Sequence, residues 1–266
     1  MVYYLLFPVL LFHSIVKSPL EWAATSSLIA AGLTAGLIGI ALAYSLPWWP
    51  GLRKHVQPRD HASAAQVAFR FNSFIGLALA DRLAGAQGLF FISVLIGFCV
   101  PVFNIAAVWP MARESQQSFW RQLVRNPLIV ATVCGLCANL LGFRMPAWLE
   151  PPVTRIGAAS IALGLMSAGA GMQLGLLTHA KRLTVGVLSI RHFIQPLLAL
   201  AAIHVFALTG NQALILLLFS ALPTASTCYV LAARMGYNGP YVAGLVTLST
   251  VLGIISLPYA LSLMPG

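Results

Sequence analysis

Two short stretches of this chain place amides, hydroxyls and glycine inside otherwise apolar runs. The first reads Ala68-Phe69-Arg70-Phe71-Asn72-Ser73-Phe74-Ile75-Gly76-Leu77-Ala78, the second Ser220-Ala221-Leu222-Pro223-Thr224-Ala225-Ser226-Thr227-Cys228-Tyr229. Asn72 carries two donors and an acceptor, Ser73 adds a hydroxyl, and Gly76 permits close backbone approach. Pro223 removes a backbone donor and clashes with the preceding turn, and Thr224, Ser226 and Thr227 set hydroxyls beside the amides it frees. Such a set could hold a carboxylate without a fixed cation, since a helix N-terminus favours an anion by about 0.3–1 kcal/mol when exposed.

Further polar groups could join them. Arg191 lies nine residues beyond Arg182, about 13 Å along a helix, and a charge at that depth marks a functional site by default. Gln195 follows one turn later on the same face. Arg70 lies about one turn from the membrane edge, where its side chain can snorkel to water. Asn104 and Gln173 could line a cavity or bond a neighbouring helix, and His13, His192 and His204 could relay protons or simply bond carbonyls.

Catalysis finds less support. Glu21, Asp60, Asp81, Glu114 and Glu150 all fall at span ends or in gaps, so paired buried carboxylates are missing. Asp60-His61 reads as a solvated loop flanked by Pro58. No Walker lysine, zinc-ligand cluster or G-x-S-x-G elbow occurs, so the expectation is a non-enzyme without cofactor. Cys134-Gly-Leu-Cys137 has redox form, but lipid disfavours thiolates, and small residues packing one helix face account for it.

The elements that position these groups must dissolve in lipid. Of 266 residues, 59% are hydrophobic and only 8% charged, with mean hydropathy +0.89; a soluble domain is nearer 25% charged. Apolar runs fall at about 1–16, 23–46, 66–82, 88–109, 124–142, 155–176, 183–208, 212–233 and 238–263, and in lipid such runs are helices. One set of alternate gaps holds Arg53, Lys54, Arg59, Arg113, Arg121, Arg125, Lys181, Arg182 and Arg234; the other holds only Lys17, Arg82, Arg144 and Arg155. The richer side is cytoplasmic, which places the C-terminus outside. The net charge of +10 thus reflects topology and not nucleic-acid binding, for which a basic patch with interleaved aromatics is absent.

The interrupted spans are the third and the eighth, and each is followed by a short polar gap and one further span. Transporters carry broken helices as such a pair, one in each half. The first run is short and lacks a basic flank, which suggests a missing preceding helix; with it the layout is five plus five, and an odd number inverts the second half. The predicted units are a first repeat at 1–109, a cytoplasmic linker at 110–123 and a second repeat at 124–266. Gly32-x-x-x-Gly36 and Gly171-x-x-x-Gly175 offer faces for close packing within the chain or in a homodimer.

Phe71-Asn72-Ser73-Phe74-Ile75-Gly76-Leu77-Ala78 resembles the first crossover of the auxin efflux carrier family, bacterial malonate and malate permease branch, where Asn-Thr-Gly-Phe-x-Gly-x-Pro is typical. Ala221-Leu222-Pro223-Thr224 with Ala232-Ala233-Arg234-Met235-Gly236 resembles the second. Leu248-Ser249-Thr250 with Leu257-Pro258 is similar to the last helix, Asn126-Pro127-Leu128 to the start of the second half, and Leu6-Phe7-Pro8-Val9-Leu10-Leu11-Phe12 to the second helix. Ala78 stands where the pattern has proline, a departure that bears on how sharply the third span breaks.

The resemblance implies an all-α polytopic membrane protein of inverted five-helix repeats, its two broken helices crossing at mid-membrane. It implies a secondary carrier of small organic anions in a bacterial cytoplasmic membrane, moving a transport domain against a scaffold as an elevator, with a proton or sodium ion as coupling partner. The alternative is a protein of the same fold that binds or senses a ligand without net transport.

Overall fold

The computed structural model describes residues 5–17, 22–54, 56–112, 127–170 and 180–264. The helices are α1 (Phe7–Lys17), α2 (Trp22–Ser45), α3 (Pro58–Ala64), α4 (Ser73–Ala112), α5 (Pro127–Leu140), α6 (Glu150–Ala170), α7 (Lys181–Ser189), α8 (Gln195–Val205), α9 (Gly210–Ala221), α10 (Thr227–Arg234) and α11 (Gly239–Ser262). The chain is an all-α, multi-pass membrane protein. Among the described residues, four segments are long and apolar enough to cross a bilayer: Thr25–Trp48, Ser73–Met111, Lys181–Val205 and Gly239–Ser262. Gln173, Glu114, Gly171, Gly175 and most of the predicted linker lie outside the described residues.

The third predicted span is built differently from a single rod. Pro58 is not a turn former but the first residue of α3, a position where its missing N–H costs nothing. α3 runs into a tight 3-10 turn at Ala65–Ala68, and together they form the first half-helix. Asp60 is therefore buried and His61 Nε2 bonds the Ala43 carbonyl at 2.8 Å, so the loop expected for Asp60-His61 is instead packed helix. After a turn at Phe69 the chain is non-helical through residues 70–72 and restarts at Ser73 because Asn72 caps the new helix: its Oδ1 accepts from Phe74 N at 3.0 Å and Ile75 N at 3.3 Å, satisfying two of the orphan donors. This break needs no proline, and Ala78 lies inside the restarted helix.

α4 is a hairpin and not one rod. Its 40 residues would span about 60 Å at 1.5 Å per residue, and Gly85 interrupts it with φ 54° and ψ −141°. A Cβ at Gly76 would lie 3.7 Å from Ile92, and one at Gly88 would strike Ala80, so the arm before Gly85 runs antiparallel to the arm after it. Nothing lies within 4 Å of a Cβ placed on Gly85, so Gly85→Ala meets no clash and costs only backbone strain, about 1–3 kcal/mol. The expected result is a thermal midpoint in detergent lower by several degrees, with Gly88→Ala more damaging because it collides with Ala80.

The second interruption follows the same plan with different residues. Leu222, pushed out of helical geometry by the following proline, is extended at φ −56° and ψ 140°, and α10 starts at Thr227. A turn at Gly236 (φ 77°) then leads into α11, whose cap is Asn238 Oδ1 accepting from Tyr241 N at 3.1 Å.

Two groups of helices emerge. The buried core draws on residues of α2, α3, α4 and α7–α11 and, among the described residues, on none from α1, α5 or α6. α1 packs against both α5 and α6, and all three also touch α4: Gly135 of α5 faces Ile15 of α1, and Asn139 Nδ2 donates to the Ile15 carbonyl at 2.7 Å. Cys134 and Cys137 are free and exposed, so the packing expected of them is supplied by Gly135. Gly32 and Gly36 face Leu95 and Phe103 of α4, within the chain.

Candidate functional site

The two extended segments meet. Phe71 and Thr224 form an antiparallel bridge; Asn72 N donates to the Pro223 carbonyl at 2.7 Å and Ala225 N to the Arg70 carbonyl at 3.3 Å. These bonds satisfy backbone groups that lipid cannot. Small residues let the helices close on the crossing: a Cβ on Gly76 would come within 2.8 Å of Leu222 Cδ1, and one on Gly253 within 2.7 Å of Pro223 Cγ.

The geometry sorts four helix ends onto two sides. The N-termini of α4 and α10 open on a cleft of about 70 Å³ lined by Arg70, Asn72, Ser73, Asn104, Ser226 and Thr227, with Phe71, Phe74, Val100 and Phe103 as its apolar wall. Asn72 spends its oxygen on the cap, which leaves its NH2 group to donate. Ser226, the cap residue of α10, makes no side-chain cap bond. Arg70 donates to Gln66 Oε1 at 2.8 Å and to Thr227 Oγ1 at 2.9 Å. Both partners are neutral, so the cleft carries positive charge.

The other side holds the C-terminal ends, and Arg191 serves them. It lies in a π-helical turn, Ile190–Ile194, ahead of Pro196, whose ring crowds the carbonyl four residues back. The guanidinium is 2% exposed and donates to Leu222 O at 2.6 Å, Phe219 O at 3.2 Å and Phe69 O at 3.4 Å. It does not line the cleft. Neither does Gln195, which packs on α2 where a methyl at Gly39 would overlap it. Thr224 is turned inward, its hydroxyl donating to the Val67 carbonyl at 2.8 Å, and Pro223 shapes the crossing without facing the cleft.

The predicted residues thus divide. Asn72, Ser73, Asn104, Ser226 and Thr227 converge on one cleft; Gly76, Pro223, Thr224 and Arg191 build the crossing; Gln195 lies apart. Arg70, expected to snorkel, belongs with the first set. Of the histidines, His192 is buried between Ser256 Oγ (2.7 Å) and Ser249 Oγ (2.9 Å), and His204 is exposed and bonded to the Leu200 carbonyl.

A family model described as membrane transport protein matches residues 52–261, a stretch that contains both interruptions. The chain belongs to this membrane transport protein family, of auxin efflux carrier type. It is 26% identical over 149 residues to auxin efflux carrier component 3a of Oryza sativa subsp. japonica, a match covering 53% of this chain and 24% of that protein. It is 26% identical over 148 residues to auxin efflux carrier component 7 of Arabidopsis thaliana, covering 53% and 24%. The chain thus spans about a quarter of the length of the curated relatives it matches.

Proposed function

We propose that this protein is a secondary carrier of small organic anions, mono- or dicarboxylates, and that the carboxylate binds in the cleft at the crossing. The observation that carries the reading is the meeting of two helix N-termini beside Arg70, whose partners Gln66 and Thr227 are neutral. Backbone amides and dipole at such termini bind anions, and a guanidinium matches a carboxylate's fork. The Asn72 amide and the Ser73 and Ser226 hydroxyls add donors, and Asn104 closes the cleft from the second arm of α4. A volume of about 70 Å³ suits a ligand of few non-hydrogen atoms. Alternating access would move the body containing the crossing against α1, α5 and α6, the helices absent from its core. The predicted repeats at 1–109 and 124–266 would each contribute one broken helix to that body.

Uptake of labelled malonate and malate into proteoliposomes tests the reading. Wild type is expected to accumulate at least one of them, and Asn72→Ala to lose most of that uptake. Loss of the cap alone costs about 0.5–2 kcal/mol of stability, so thermal midpoints are read alongside. Asn72→Asp separates the roles: it keeps the capping oxygen but turns the donor into an anion, so the fold should survive and uptake should not. Binding without accumulation would favour a sensor of the same fold.

A further inference from the structure

In transporters with broken helices, unwound carbonyls and half-helix C-termini coordinate the coupling cation. Here five of the carbonyls at the two C-terminal ends accept from the chain's own side chains. Arg191 takes Phe69, Phe219 and Leu222 through one guanidinium. Thr224 Oγ1 takes Val67, and Ser256 Oγ reaches the Ala221 carbonyl at 3.5 Å. The remaining polar groups bond one another: Ser249 Oγ accepts from Thr224 N at 2.9 Å and donates to Thr224 Oγ1 at 3.0 Å, while His192 spans Ser249 and Ser256. A fork of five N–H donors on a permanent charge thus sits where two helix C-termini concentrate negative potential.

We infer that Arg191 is a tethered cation occupying the coupling-ion position, so that this chain moves its anion without sodium. The inference rests on the carrier reading for its transport consequence but not for the occupancy itself. Arg191 is a positioning residue: it holds the two C-terminal ends together and thereby fixes the N-termini that face the cleft.

The test uses the purified full chain. A vacant sodium site with Kd of roughly 1 mM would raise the thermal midpoint by something on the order of 5–10 °C on exchange of about 100 mM choline chloride for sodium chloride. Wild type is expected to melt alike in both salts, and in proteoliposomes to take up malonate or malate at the same rate under sodium and choline. Arg191→Ala is expected to melt lower and to regain midpoint and uptake with methylguanidinium, which supplies the missing head group, but not with choline. Arg191→Lys, which keeps the charge and loses the fork, should fall between. Sodium-specific stabilisation or sodium-dependent uptake of wild type would overturn the inference, as would an Arg191→Ala protein that folds and ignores methylguanidinium. If Arg191→Ala does not fold, the wild-type salt comparison decides alone. Wild type that takes up neither acid in either salt, yet melts alike in both, counts against the carrier reading and not against Arg191.

Discussion

Arg70→Gln is expected to cut carboxylate uptake sharply at substrate concentrations near the wild-type KM, while leaving the fold intact. The side chain bonds Gln66 and Thr227 and lies against the Cys228 thiol, and the first two can bond glutamine or water on the open side of the cleft. The group that disappears is a charge facing the ligand. A hydrogen bond to a charged group contributes about 1.5–3 kcal/mol, so the apparent KM should rise by roughly 10- to 150-fold. Arg70→Lys retains the charge but presents it as a point, not a fork, and should recover part of the affinity. If Arg70 merely snorkelled, neither change would affect KM. Initial uptake rates against labelled malonate or malate concentration, normalised to reconstituted protein, make the measurement.

Arg70 shows where sequence pattern stops. Both interruptions are visible in residue type alone, because Asn, Ser and Pro at membrane depth create backbone groups that must find partners. Of the hydroxyls after Pro223, those of Ser226 and Thr227 line the cleft, while that of Thr224 bonds the Val67 carbonyl. Depth, however, is misjudged when residues 66–82 are counted as one straight helix. The first half-helix begins at Pro58, so Arg70 lies a full half-helix inside, and the non-helical segment at 70–72 turns it toward Thr227. Pro58 reads as a turn former because a proline that starts a helix and one that ends a loop look alike without the cap geometry.

Arg191 conceals its role for a different reason. Its partners are backbone carbonyls 28, 31 and 122 residues away, and a carbonyl carries no sequence signature. Depth marks it as functional, but only the crossing shows which side of the site it serves. Gly85 is hidden similarly, since its φ of 54° is a property of the hairpin and not of its neighbours. The division of the helices into two groups follows from inter-helix packing, to which periodicity within each apolar run is blind.

Gly253→Val should eliminate uptake without removing the protein from the membrane, and its comparison with Gly76 makes the result specific. Both glycines abut the crossing, but against different matter. A Cβ at Gly253 would stand 2.7 Å from Cγ of Pro223, a ring that cannot rotate away; one at Gly76 would stand 2.8 Å from Leu222 Cδ1, the end of a flexible side chain. Overpacking a close-fitted interior costs typically about 1–3 kcal/mol, and at Gly253 it must be relieved by shifting Pro223. The Pro223 carbonyl accepts from Asn72 N at 2.7 Å, so that shift pulls on the cap of α4 and opens the cleft between the two N-termini. Alanine suffices to rank the sites: Gly253→Ala should impair uptake severely, Gly76→Ala mildly. Ile254→Ala, one residue along but 74% exposed, should behave as wild type. Uptake per unit of monodisperse protein, read beside thermal midpoints, gives the order. Equal tolerance of alanine at Gly253 and Ile254 would mean that the transported anion does not depend on where Pro223 stands.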